Sequence, residues 1–309
     1  QDATTTARLK AAGGILMGKL AMHEYALGGP DFTTPFPPAR NPWNLAHVTG
    51  GSSSGSGAAV AAGQCMGALG SCTGGSIRFP ASLCGTVGIK PTYGRVSRAG
   101  VVPLSWSQDH VGPLTRRVED AALMLQPIAG HDPRDPTSLR ETPPNFVSAV
   151  DNEIDGLRIA WSPDFGFAEV DAEVLAVTTR AAYVFEELGC HVEGSDLVLE
   201  PPYDVFGPVQ AADSYATSGQ YLKTHRDQLT DFAIFFLEMG ARVTAAEYAG
   251  ALGQIDILKA RMTDLFEEYD LLLTPTACFP AFPNETFPGK IRGASAYPEQ
   301  YWNGAFTLP

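Results

Sequence analysis

Two short runs of serine and glycine carry the residue types most able to do chemistry. They are Gly50-Gly51-Ser52-Ser53-Ser54-Gly55-Ser56-Gly57 and Gly74-Gly75-Ser76-Ile77-Arg78. Their hydroxyls become nucleophiles or proton relays once a base lies within hydrogen-bond reach. Their glycines let main-chain N–H groups approach an anionic oxygen without side-chain bulk. A flexible linker has the same composition. The first run, however, leads straight into Ala58-Ala59-Val60-Ala61-Ala62, a good helix former. An anion site at a helix N-terminus explains that placement, and a tether does not.

Other motifs compete. Gly13 to Lys19 has the G-x-x-x-x-G-K spacing of a phosphate loop, but Leu20 stands where a magnesium-binding hydroxyl is needed. The intervening Ile15-Leu16-Met17 reads as a buried strand, so the phosphate reading is rejected. Gly51 to Gly55 fits G-x-S-x-G, the nucleophile elbow of α/β-hydrolases. Its lead-in, Asn44 to Thr49, is a poor hydrophobic strand, yet His110, His131, His191 and His225 all follow it, so the elbow stays as an alternative. The six histidines include no H-E-x-x-H, and no cysteine pair has ligand spacing, so no metal site is expected. His110 could line a site, but the stretch around Gly112-Pro113 reads first as a structural turn. Asn284-Glu285-Thr286 fits a glycosylation sequon and is discounted because the cysteine usage argues against secretion.

The elements that must position these turns follow from periodicity. Ala3 to Ala12 reads as a helix, and Thr33 to Pro42, with four prolines, as a loop. Pro91 to Pro113 is turn-rich. Val118 to Leu125 is a short amphipathic helix with Glu119 and Asp120 in its first turn. Asp132 to Pro144 reads as a surface connection. Leu157 to Trp161 is a strand, and Asp171 caps a helix running to about Leu188. Its apolar positions Val174, Val177, Ala181, Val184 and Leu188 recur at helical spacing. Gly189 closes it before a second strand near His191. Thr244 and Glu247 form a capping box for a long helix ending near Tyr269, and Leu271-Leu272-Leu273 follows as a buried strand. Strand, helix and strand in this order give an α/β class. With no repeat and no clear linker, one domain over 1–309 is the expectation.

The chain has 309 residues, 44% hydrophobic, with 34 acidic against 21 basic residues and a net charge of -13. This balance argues against nucleic acid and anionic membrane surfaces as partners. No apolar run approaches the ~20 residues of a membrane span. Cys65, Cys72, Cys84, Cys190 and Cys278 form an odd count with no C-x-x-C, which points to a reducing compartment and a cytoplasmic location.

One ordered string joins the separate blocks. It runs from Asn41-Pro42-Trp43-Asn44 through the first serine-glycine run to Gly70-Ser71-Cys72-Thr73-Gly74-Gly75-Ser76-Ile77-Arg78-Phe79-Pro80-Ala81. It closes with Cys84-Gly85 and Gly88-Ile89-Lys90-Pro91-Thr92-Tyr93-Gly94-Arg95. This string resembles the amidase signature family of serine hydrolases. The resemblance implies a mixed central β-sheet covered by helices on both faces, and an amidase that needs no cofactor. It implies Ser76 as nucleophile and Ser52, after a cis Gly51-Ser52 bond, as the bridging serine. The oxyanion donors would be the N–H groups of Thr73, Gly74, Gly75 and Ser76, with Ser53 and Arg78 in support.

Two departures stand out. The family's triad lysine lies upstream of the part that matches Gln1 onward, and Lys19 and Lys90 fall at other family positions. The chain therefore reads as an internal fragment of its protein. The family's usual aspartate four residues before the nucleophile is here Cys72. Three functions follow. The first is a stand-alone amidase acting on a small-molecule amide, with a homodimer allowed. The second is the amidase subunit of an aminoacyl-tRNA amidotransferase. The third is an inactive relative used as a binding module.

Overall fold

The computed structural model describes residues 2–28, 36–284, 290–291, 294–295 and 306–307. In chain order the helices are α1 (Thr4–Ala11), α2 (Ser54–Ala61), α3 (Arg78–Cys84), α4 (Val118–Ile128), α5 (Phe146–Ala149), α6 (Ala172–Glu187), α7 (Tyr203–Ser218), α8 (Tyr221–Thr224), α9 (Asp231–Gly240) and α10 (Ala245–Glu268). The strands are β1 (Gly67–Cys72), β2 (Val87–Gly88), β3 (His110–Thr115), β4 (Arg158–Trp161), β5 (His191–Gly194), β6 (Leu271–Leu273), β7 (Lys290–Ile291) and β8 (Ala294–Ser295). The chain divides into two compact units. One comprises Gln1–Asp151, Gln210–Arg242 and Pro283–Glu285, the other Asn152–Val209, Val243–Phe282 and Thr286–Pro309. The class is α/β, as the residue order implies.

The first unit is built on an antiparallel sheet of order β1-β3-β2. The ladder runs from Gly67 opposite Thr115 to Cys72 opposite His110. β1 alternates half-buried and buried positions, with Ala68, Gly70 and Cys72 inward. Its small residues admit a close neighbour. A Cβ on Gly70 would stand 2.7 Å from Leu114 and 2.9 Å from the Ser53 hydroxyl. Val60, Ile77, Ala81 and Leu114 close the core on this face. Val96, Val111, Leu125 and Ile128 form a second cluster. Burying each such branched side chain contributes roughly 1.5–3 kcal/mol. Arg8 of α1 donates to the carbonyls of Ile128, Gly130 and His131, where a cation meets the exposed carbonyls ending α4.

Three expectations for this unit fail. Ile15, Leu16 and Met17 are 90%, 62% and 76% exposed and join no strand, because Gly13, at φ +92, turns the chain out of α1 and no ladder partner meets it among the described residues. Gly112 and Pro113 are not a turn but lie inside β3. Pro113 is opposite Leu69, and its carbonyl accepts the Ile89 N–H, so its missing donor is tolerated. Asp132 to Pro144 is not simply a surface connection, since Asp132, Asp135 and Ser138 are buried anchors. Burial works against the charge of Asp132. Hydrogen bonds from Thr4, the Arg134 backbone and side chain, and Ser97 outweigh it and hold the carboxyl well below the usual range.

The second unit carries a parallel sheet of order β5-β4-β6. Ile159, Ala160 and Trp161 of β4 are all buried, as a central strand requires. Asp171 accepts the Glu173 N–H at 2.9 Å and starts α6, and Gly189, at φ +87, ends it. Thr244 and Glu247 form the full capping box that starts α10. The spacing of α6 is right, but Val177, Val184 and Leu188 are 50%, 46% and 53% exposed. Periodicity finds an apolar face and does not say what covers it. Leu271, expected to be buried, is 40% exposed, and among the described residues β6 pairs with a strand on its β4 side alone.

Candidate active site

The two serine-glycine turns meet in the first unit. Gly50 takes φ +73, and a Cβ there would press within 3.1 Å of Phe79 and Pro80, so glycine is required. The Gly51-Ser52 peptide is cis. Ser52 is fully buried, and its hydroxyl has no hydrogen-bond partner among the described residues. Its carbonyl accepts the His23 N–H at 3.0 Å.

Ser53 joins the turns. Its N–H donates to the Ser76 carbonyl at 3.3 Å, and its hydroxyl exchanges hydrogen bonds with the Ser71 backbone at 3.2 Å in each direction. The second turn spans Thr73 to Ser76 between β1 and α3. Gly74 and Gly75 are buried, Ser76 is half-buried, and Gly75 takes φ +148. Asn41 holds the frame from outside. Its amide donates to the carbonyls of Val48 and Leu83, while the Trp43 indole donates to Cys84.

A polar cluster beside this turn was not legible in the motif. The Thr73 hydroxyl donates to Asp109 at 2.6 Å. The other Asp109 oxygen accepts the N–H groups of Leu104 and Ser105. Burial raises the Asp109 pKa, against these hydrogen bonds and the charge of Arg98. His110 Nδ1 lies 3.2 Å from the Cys72 carbonyl, and its Nε2 lies 3.2 Å from Lys90 Nζ. Burial, then the Lys90 charge, pushes His110 down to about 4. Lys90 is itself lowered, by burial first and then by Arg78. An Arg78 nitrogen stands 4.0 Å from the Cys72 sulfur. Cys72 is buried at the position where an acid was expected, so these basic groups surround a thiol. The hint in the sequence was Asp109-His110 just ahead of an apolar run, which the turn reading of Gly112-Pro113 hid.

Among the described residues no group of three or more His, Cys, Asp and Glu could hold a metal ion, and no helix is long and apolar enough to cross a membrane. Leu237 of α9 lies against a shallow depression lined also by Tyr25, Leu27, Leu104, Ser214 and Ser218, whereas Phe235 is 63% exposed.

The first unit of this α/β chain thus sets two serine-bearing glycine turns side by side. The Amidase family model matches residues 1–307, and the chain belongs to that family. It is 41% identical over 305 residues to a glutamyl-tRNA(Gln) amidotransferase subunit of Moorella thermoacetica, covering 91% of this chain and 63% of that protein. The chain thus spans less than two thirds of that relative's length. A bacterial aryl acylamidase of the amidase signature family superposes with a TM-score of 0.89 at 30% identity, covering 99% of this chain and 66% of its own. A protein from a vestigial complex bearing on the origins of an s-triazine catabolic enzyme superposes at 0.91 with 32% identity, covering 99% and 66%.

Proposed function

We propose that this chain forms the acyl-transfer core of an amidase that converts a carboxylic amide into an acid and ammonia or an amine. The observation that carries the reading is the junction of the two turns. Ser53 ties its backbone to Ser76, beside a Ser52 hydroxyl that is buried and unpartnered among the described residues. A hydroxyl kept from water without an internal partner is costly, and a role in the chemistry explains why it is kept.

In this reading Ser76 Oγ attacks the amide carbon. Its proton passes through Ser52 to a neutral lysine, the third member of the family's triad. The oxyanion meets the N–H groups of Thr73, Gly74, Gly75 and Ser76, and losing one such donor raises the barrier by ~2.7–4 kcal/mol. The proton then reaches the leaving nitrogen, and water releases the acid from the acyl-enzyme. Ser53 fixes the distance between the turns, and Arg78 supports the second one. The five free thiols support a reducing compartment, the cytoplasm.

A fluorophosphonate probe tests this on the full-length protein. Covalent labelling at Ser76 is expected, abolished by Ser76→Ala and reduced on the order of 100-fold or more by Ser52→Ala. An unlabelled full-length protein would instead fit an inactive relative. The 41% identity to an amidotransferase subunit favours a second reading, release of ammonia from glutamine within a complex. Glutaminase activity that rises only with partner subunits would select it.

A further inference from the structure

The start of β3 grips the second turn from two sides. Asp109 takes the Thr73 hydroxyl at 2.6 Å, and His110 reaches the Cys72 carbonyl at 3.2 Å. Cys72 and Thr73 are the two residues through which β1 passes into the Thr73 to Ser76 turn. Asp109 is in turn fixed by two backbone N–H groups, so the grip is anchored rather than loose. A carbonyl only accepts, so the Cys72 contact is a hydrogen bond when the imidazole proton is on Nδ1, and Nε2 is then an acceptor; the Gln108 backbone also hydrogen-bonds the ring. Lys90 Nζ, 3.2 Å from Nε2 and 3.0 Å from the Pro91 carbonyl, donates to both.

We propose that Asp109 and neutral His110 are positioning residues that clamp the entrance of the Thr73 to Ser76 turn and aim its amides at the developing oxyanion. The inference rests on the amidase reading above and adds residues that the motif does not contain. The surroundings of His110 fix its protonation state. Lys90 and Arg78 bring positive charge from the segments after β2 and at the start of α3. The Cys72 thiol sits on β1, the Tyr93 ring packs edge-on at 5.5 Å, and Asp109 precedes His110 in the chain. A second proton on His110 would set two cations 3.2 Å apart and leave Lys90 without that acceptor.

The test uses the full-length protein and compares wild type, His110→Asn and His110→Leu. Asparagine can place an amide N–H near the Nδ1 position, whereas leucine cannot donate at all. Small displacements at a distance from the reacting atoms cost up to about 100-fold. We expect His110→Leu to slow Ser76 labelling and kcat by about 10-fold with KM within about twofold, and His110→Asn to recover most of that loss. Equal rates in wild type and His110→Leu overturn the clamp alone, as does His110→Asn failing as badly as His110→Leu. Absence of labelling in the wild type overturns the amidase reading and the clamp with it. If both variants fail to fold, long-range ¹H–¹⁵N histidine spectra of the wild type decide. A proton on Nδ1 and a bare Nε2 at pH 7 support the clamp, and an imidazolium or the opposite tautomer overturns it.

Discussion

Helices α2 and α10 begin by opposite means. At the start of α10, Thr244 accepts the Glu247 N–H at 3.2 Å while Glu247 accepts the Thr244 N–H at 2.8 Å. The signal is complete within four residues, and Ala251 is the only residue of this helix that is buried among those described. At the start of α2, Ser53 makes no side-chain cap and gives its hydroxyl to Ser71 of β1 instead. Six of the eight residues of α2 are buried. α10 is specified locally and needs little from its surroundings. α2 is specified by what it packs against, and its first turn is left available to the site.

The contrast predicts an order of effects. Leu114 is fully buried under α2 and β1, and Leu114→Ala should destabilise the full-length protein by about 3–5 kcal/mol in urea unfolding, with the m-value unchanged. A loss below about 1 kcal/mol would mean that this core does not hold α2 in place. Ser53→Ala should cost about 1–3 kcal/mol, because it strands the Ser71 N–H, and should slow Ser76 labelling more than its stability loss explains. Stability loss without a rate effect would make Ser53 a plain scaffold residue. Thr244→Ala should cost only about 1 kcal/mol and leave labelling unchanged, since the capping box acts on α10 alone. A rate effect there would break the division between a locally specified helix and a site specified from afar.

The same division explains which features could be read from residue order. Asp171, Gly189, Thr244 and Glu247 act on chain neighbours, so their roles were visible from spacing. The serine-glycine turns were visible because few sequences combine those residues in that order. β3 was misread because Gly112 and Pro113 are turn formers in isolation, and only pairing with β1 and β2 holds them extended. Asp132 and Asp135 looked like surface charge because several of their partners, Thr4, Ser97 and Arg98, lie far away in sequence. His110 and Lys90 gave no periodic signal, since their contact joins segments twenty residues apart.

Residue order therefore settled the family and the caps, because each depends on near neighbours or on a rare string. Folding in three dimensions settled the burial of Ser52, the strand at His110 to Thr115, and the basic environment of Cys72. These depend on desolvation and on hydrogen bonds between distant segments, and neither is encoded in any local stretch of the chain.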